Sequence, residues 1–221
     1  MSEKFDIDEI IKKLKEKRKI FTSEADLQLE LAWIIKNKYK DDKNVAVRLE
    51  YCPDIEPQMH IDILVIIDEK WIPIELKYKT KEFSYTDSDG CTYNLKEQSA
   101  HDCGCYDYIK DIQRIETIRE KKDKFEKGYT IFITNDGLYK KGPRERSSYK
   151  NFSLGKNREK ITAGDILNWP KTKVVNKERA ESITLKSEYK FEWKPFSNID
   201  ENSDECKNVN QFYILINEII K

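Results

Sequence analysis

Residues 60–79 read HIDILVIIDEKWIPIELKYK, and this stretch decides the fold. Two apolar runs flank the short polar turn Asp68-Glu69-Lys70, so the segment reads as an antiparallel β-hairpin. Asp62 heads the first strand, and Glu75 and Lys77 lie near the end of the second. Side chains alternate along a strand, so Glu75 and Lys77 share one face while Leu76 turns into a core. Hairpin pairing brings Asp62 beside both. Charged groups enter apolar runs of this kind chiefly when paired or metal-bound. An acid and a base two apart on a strand also form ordinary surface pairs worth little, so both readings stand at this level.

Carboxylate oxygens are hard ligands suited to Mg²⁺, which takes one or two protein carboxylates and otherwise water and substrate phosphate. Asp62, Glu75 and the backbone carbonyl of Leu76 are the expected protein share, and Mn²⁺ is expected to substitute. A lysine beside such a site can orient or deprotonate a water, or stabilise charge building on a phosphoryl group; Lys77 is the candidate.

Asp62, a hairpin and then Glu75-Leu76-Lys77 resemble the signature of the PD-(D/E)XK nuclease superfamily, with Ile61 in the place of its proline, a common departure. The resemblance covers roughly residues 22–135. It implies an α/β (α+β) restriction-endonuclease-like core: a central mixed β-sheet flanked by helices, in αβββαβ order. It also implies metal-dependent hydrolysis of phosphodiester bonds, in DNA first, with RNA as the other substrate, and an additional acid from a helix before the hairpin.

Residues 22–31, TSEADLQLEL, read as the start of that helix. Thr22 or Ser23 can cap it, and Leu27, Leu31, Ile34 and Ile35 follow helical spacing. Glu24 lies three and seven residues ahead of Leu27 and Leu31 on the same face, so it is the expected helix acid and metal ligand. Glu30, nearer the flank, is the second choice, and Asp26 lies away from the stripe. A first-turn acid favoured by the helix dipole explains Glu24 equally well.

The remaining pattern supplies the other elements. A short amphipathic helix is expected over Asp6 to Lys19, the Glu24 helix over Thr22 to Tyr39, and a strand over Val45 to Tyr51, with Pro53 and Pro57 breaking the chain before Asp62. A long helix is expected from about Leu95 to Lys124 and a central strand over Tyr129 to Thr134. In the long helix Tyr108, Ile112, Ile115 and Arg119 form one stripe, and Asp107, Asp111, Arg114 and Ile118 another. The polar stripe reads either as internal ion pairs or as support for the site. Gln98 and His101 stand near its start, and His60 reads as a strand-edge residue.

Residues 136–221 form an extension without a family match. Lys140 to Lys160 is a basic, Gly- and Pro-containing loop with Tyr149 and Phe152, suited to phosphate contact and base stacking or simply to solvent. Strand-like patterns follow at Ile183 to Leu185 and Tyr189 to Trp193, then an acidic loop, Asp200 to Cys206, and an apolar helix over Val209 to Ile220.

A chain of 221 residues suits one domain. Lys+Arg and Asp+Glu both number 41, so no net positive field draws it to nucleic acid, and DNA contact must rely on local clustering. No apolar run is long enough to span a membrane and the first ten residues lack an apolar signal core, so a cytoplasmic protein without membrane contact is expected. Cys91, His101, Cys103 and Cys105 offer four soft ligands within fifteen residues, but Cys103-Gly104-Cys105 lacks the usual two-residue spacer and ordinary thiols are the simpler reading; Cys52 and Cys206 have no partner pattern. The leading expectation is a DNA endonuclease, a homodimer being the assembly that would supply two sites for two strands. The other is a catalytically silent nuclease-like module that binds nucleic acid or a protein.

Overall fold

The computed structural model describes residues 5–56, 58–158, 160–199 and 209–221. Pro57 and the acidic loop from Asp200 to Cys206 lie outside the described residues. The chain folds as a mixed α/β structure on a six-stranded mixed sheet with helices on both faces.

Two helices come first, α1 (Ile7–Lys17) and α2 (Glu24–Lys38). Asp6 caps α1 by accepting from the N–H groups of Asp8 and Glu9, and Ser23 caps α2 by accepting from that of Asp26. Then follow β1 (Val45–Tyr51), β2 (Ile61–Ile67) and β3 (Lys70–Lys79), all antiparallel neighbours. Asp68 and Glu69 adopt φ of 48° and 66°, the left-handed pair a two-residue hairpin turn of this twist demands. A small hairpin, β4 (Phe83–Thr86) and β5 (Thr92–Leu95), precedes α3 (His101–Lys121), β6 (Lys127–Thr134) and the short α4 (Gly137–Lys141). The long helix therefore starts six residues later than its apolar spacing suggests, because Thr92 to Leu95 pair with β4 instead.

Beyond α4 come β7 (Lys160–Ile161), β8 (Ile166–Leu167), β9 (Ile183–Thr184) and β10 (Tyr189–Lys190), which pair as β7 with β10 and β8 with β9. The chain ends with β11 (Lys194–Asn198) and β12 (Gln211–Ile220). The sheet order is β1-β2-β3-β6-β12-β11, with β3 and β6 parallel.

The expected helix over Val209 to Ile220 is wrong: β12 is an antiparallel strand between β6 and β11. Its apolar residues serve both faces of the sheet, Phe212 and Ile214 on one side and Leu215 and Ile219 on the other. A strand buried on both faces has a near-continuous apolar run, which periodicity cannot tell from a buried helix. Two of the six strands thus come from beyond residue 135, and the region assigned to the core by resemblance does not complete the sheet.

One core lies between the sheet and α1 and α2, with Leu27, Leu31, Ile63, Leu76 and Ile131 at its centre. The other lies between the opposite face, α3 and residues 149–193, around Ile112, Ile115, Phe132 and Leu215. Phe152 belongs to this second core: it is fully buried, its ring 5.2 Å from Tyr106 and 4.5 Å from Trp169. It is not offered to bases, as the basic-loop reading has it; an aromatic in a Gly-rich polar stretch serves packing here.

Candidate active site

Leu76 enters the core beside α1 and α2, so strand alternation turns Glu75 and Lys77 toward α3. The register pairs Ile63 with Ile74, and one step further along the hairpin Asp62 stands across from Glu75. The Asp62 carboxylate accepts the backbone N–H of Leu76 at 2.6 Å.

From the helix above, Asp111 Oδ2 lies 2.9 Å from Lys77 Nζ, and Arg114 Nη2 lies 3.3 Å from Glu75 Oε1. Arg114 Nη1 closes the group at 3.2 Å from Asp111 Oδ1, and the guanidinium also donates to the His60 carbonyl. Lys77 Nζ reaches the Leu76 carbonyl at 3.4 Å. Glu24, at the start of α2, accepts the Tyr78 N–H at 2.7 Å, and its charge acts on both Lys77 and Asp62. Glu75 is 2 % exposed, and no hydrogen bond aligns on its Oε1.

The electrostatics follow from burying acids together. Burial, opposed by the Leu76 N–H and Lys77 but aided by Asp111 and Glu24, pushes the Asp62 carboxyl up to about 6. Burial first, then Asp111, with Arg114 opposing, raises Glu75 well above the carboxylate range. Burial would lower Lys77, but Asp111, Glu24 and Asp62 outweigh it and hold the ammonium protonated well above its ordinary value. Arg114 is likewise raised, by Glu75, Asp111 and Asp62 against burial.

The structure thus brings Asp62, Glu75, Lys77 and Glu24 to one end of the β2–β3 hairpin. Glu30 is elsewhere, 3.8 Å from Arg18 and paired with Lys17 on α1. The polar stripe of α3 divides: Asp111 and Arg114 face the site, whereas Asp107 makes a two-pronged pair with Arg179 at 2.7 and 2.8 Å. Gln28 is a residue the sequence reading missed. Its Nε2 donates to the Asp62 carbonyl at 2.7 Å and to Glu50 at 2.6 Å, fixing the strand end that presents the Asp62 carboxylate. Its position one helical turn after Glu24 was the available signal.

The sulfur set does not assemble. Cys91 is exposed at the β4–β5 turn, and Cys105 is buried, its thiol pushed up by burial. His101 Nε2 sits 2.5 Å from Asp136, and burial of Asp136 is outweighed by this contact and by the Leu138 N–H, which keep that acid ionised. Among the described residues no three His, Cys, Asp or Glu side chains are gathered as ligands to one ion. Among the described residues His60 Nδ1 meets only the Glu50 carbonyl, at 3.3 Å. No helix among the described residues is long and apolar enough to cross a membrane. Comparison with protein-family models, with curated proteins and with solved structures finds no match to this chain.

Proposed function

We propose that the chain is a metal-dependent nuclease of the restriction-endonuclease-like type, hydrolysing phosphodiester bonds in nucleic acid, DNA first. The order α2, β1, β2, β3, α3, β6, with the small β4–β5 hairpin inserted between β3 and α3, supports this reading of the fold. The observation that carries it is the convergence of Asp62, Glu75 and Lys77 on one face, with Glu24 joining from α2.

The donor set fits Mg²⁺ or Mn²⁺ in charge and kind. With all four carboxylates (Asp62, Glu75, Asp111, Glu24) ionised against two cations (Lys77, Arg114) the net charge is 2 − 4 = −2, which one divalent ion would neutralise, displacing the proton that burial favours on Glu75. Mg²⁺ needs only one or two protein carboxylates, and Glu75 Oε1, without an aligned hydrogen bond, would exchange its 3.3 Å ion pair with Arg114 for the ion. Asp62, Glu75 and the Leu76 carbonyl would hold the ion, with Glu24 at its margin; when bound, it would polarise the phosphate and its water.

The chain's own residues define the rest. Lys77, held protonated, acts as a cation on the phosphate oxygens rather than as a base. Asp111 fixes that ammonium, and Gln28 fixes the Asp62 backbone. The test is cleavage of supercoiled plasmid and single-stranded DNA by the wild type and Lys77→Ala, with Mg²⁺, Mn²⁺ or EDTA. Metal-dependent cutting lost in the variant supports the reading; equal results from both proteins overturn it.

One observation favours the binding-module alternative. Arg114 already stands against Glu75, as it would in a module whose acids have settled into internal pairs. Binding of DNA without cutting under every metal condition would select it. A homodimer and a cytoplasmic location accompany the nuclease reading as proposals, tested by sedimentation and by fractionation.

A further inference from the structure

A second polar cleft opens beside the site. It measures about 360 Å³ and runs between the start of α2, the end of β3 and β5, lined among others by Glu24, Lys79, Thr80, Asn94, Lys96 and Gln98. The end of β3 is bound to this wall: Thr80 Oγ1 donates to the Lys96 carbonyl at 2.8 Å, and the Gln98 N–H to the Thr80 carbonyl at 2.8 Å.

The cleft is rich in hydrogen-bond donors. Gln98 spends its side-chain oxygen on the Thr80 N–H at 3.1 Å, and Asn94 spends its own on the Ser84 hydroxyl at 2.8 Å. Each amide is thereby oriented with its NH₂ left to donate, and among the described residues neither nitrogen meets an acceptor. Lys79 and Lys96 meet no acid among the described residues, in a chain whose charges otherwise balance at 41 and 41. Of the lining residues Glu24 alone is acidic, and its carboxylate is bonded to the Tyr78 N–H. Lys79 follows Lys77 on the same face of β3, about 7 Å further along the strand.

We infer that this cleft is a phosphate-binding subsite: Lys79, Lys96 and the amide groups of Asn94 and Gln98 grip a backbone phosphate of nucleic acid next to the one held at Asp62, Glu75 and Lys77. The assignment of the phosphate to nucleic acid rests on the nuclease reading; the donor chemistry itself suits any phosphate.

The test is binding of a labelled oligonucleotide, single- and double-stranded, to the full chain in EDTA at several salt concentrations. Lys79→Ala/Lys96→Ala should weaken binding about 10-fold or more and flatten the log–log salt dependence by about 1.5 to 2, the loss of two phosphate contacts. Lys121→Ala/Lys124→Ala, at the opposite end of the sheet, should leave both unchanged. Equal losses in the two double variants, or none in either, would overturn the subsite. A second arm follows the melting temperature with inorganic pyrophosphate. Stabilisation lost in Lys79→Ala/Lys96→Ala, with no oligonucleotide bound by any form, would retain an anion site but overturn its assignment to nucleic acid. Cutting is scored separately: oligonucleotide binding that depends on Lys79 and Lys96 in a protein that never cuts would sink the nuclease and keep the subsite.

Discussion

Lys77 Nζ on β3 lies 2.9 Å from Asp111 Oδ2 on α3, an ion pair that joins the sheet to the helix across the candidate site beside that of Glu75 with Arg114. Both partners are largely out of water, with 16 % and 5 % of their side chains exposed. Removing one leaves the other's charge buried, which is costlier than the pair itself is stabilising. Lys77→Met should cost about 2–3 kcal/mol, somewhat less than for an isolated buried pair because Arg114 remains beside Asp111. Adding Asp111→Asn should recover part of it. Urea unfolding of both single variants and the double gives the coupling; a value near zero would mean the contact is not formed in solution.

Stability should respond to pH through Asp62. Its carboxyl titrates at about 6 in the folded protein because burial penalises the charge, against about 3.9 unfolded. Between those values the folded chain binds more protons than the unfolded one, so stability falls as pH rises from about 4 to about 6. The span corresponds to roughly 3 kcal/mol at most. Asp62→Asn keeps an acceptor for the Leu76 N–H and should flatten this slope and be the more stable protein at pH 7. Parallel pH profiles for the two proteins would refute the assignment.

Arg114 neutralises part of the acidic cluster from α3. Arg114→Met should therefore bind Mg²⁺ or Mn²⁺ more tightly, by roughly 10-fold, about 1.4 kcal/mol. Calorimetric titration measures this without any substrate, and weaker binding in the variant would show that the guanidinium supports the ion's site instead of competing with it.

The placement of β12 has its own test. Leu215 is fully buried and Ile220, at the strand's end, is 66 % exposed. Leu215→Ala should cost about 2–5 kcal/mol, whereas Ile220→Ala should stay within about 0.5 kcal/mol. Similar small effects at both positions would argue that the segment does not sit within the sheet.

The sequence carried the hairpin clearly, because two apolar runs of strand length flank one short polar turn, Asp68-Glu69-Lys70. Glu24 was legible for a similar reason: Ser23 marks where α2 begins, and Leu27 and Leu31 mark which face is buried. Asp111 and Arg114 were visible only as an i,i+3 pair, since a surface pair on a helix and a pair aimed into a site have the same spacing. What separates them is that α3 lies over β3, a tertiary fact. Gln28 carries neither charge nor motif. β12 was misread because burial on two faces erases the alternation that distinguishes a strand.

The position of β12 also bears on how the chain folds. Thr134 on β6 pairs with Tyr213 on β12, positions separated by 213 − 134 = 79 residues. Zipping that ladder closes a long loop before the contacts on either side can compensate for the lost chain entropy. Pairings so distant along the chain belong to the slow end of folding rates. The β2–β3 hairpin, its strands joined by a two-residue turn, can form early, whereas β6 joins β3 from 129 − 74 = 55 residues further along the chain and the sheet is complete only with residues 211–220. During that interval one side of β6 presents an unpaired apolar edge, the interval in which self-association of this protein would start.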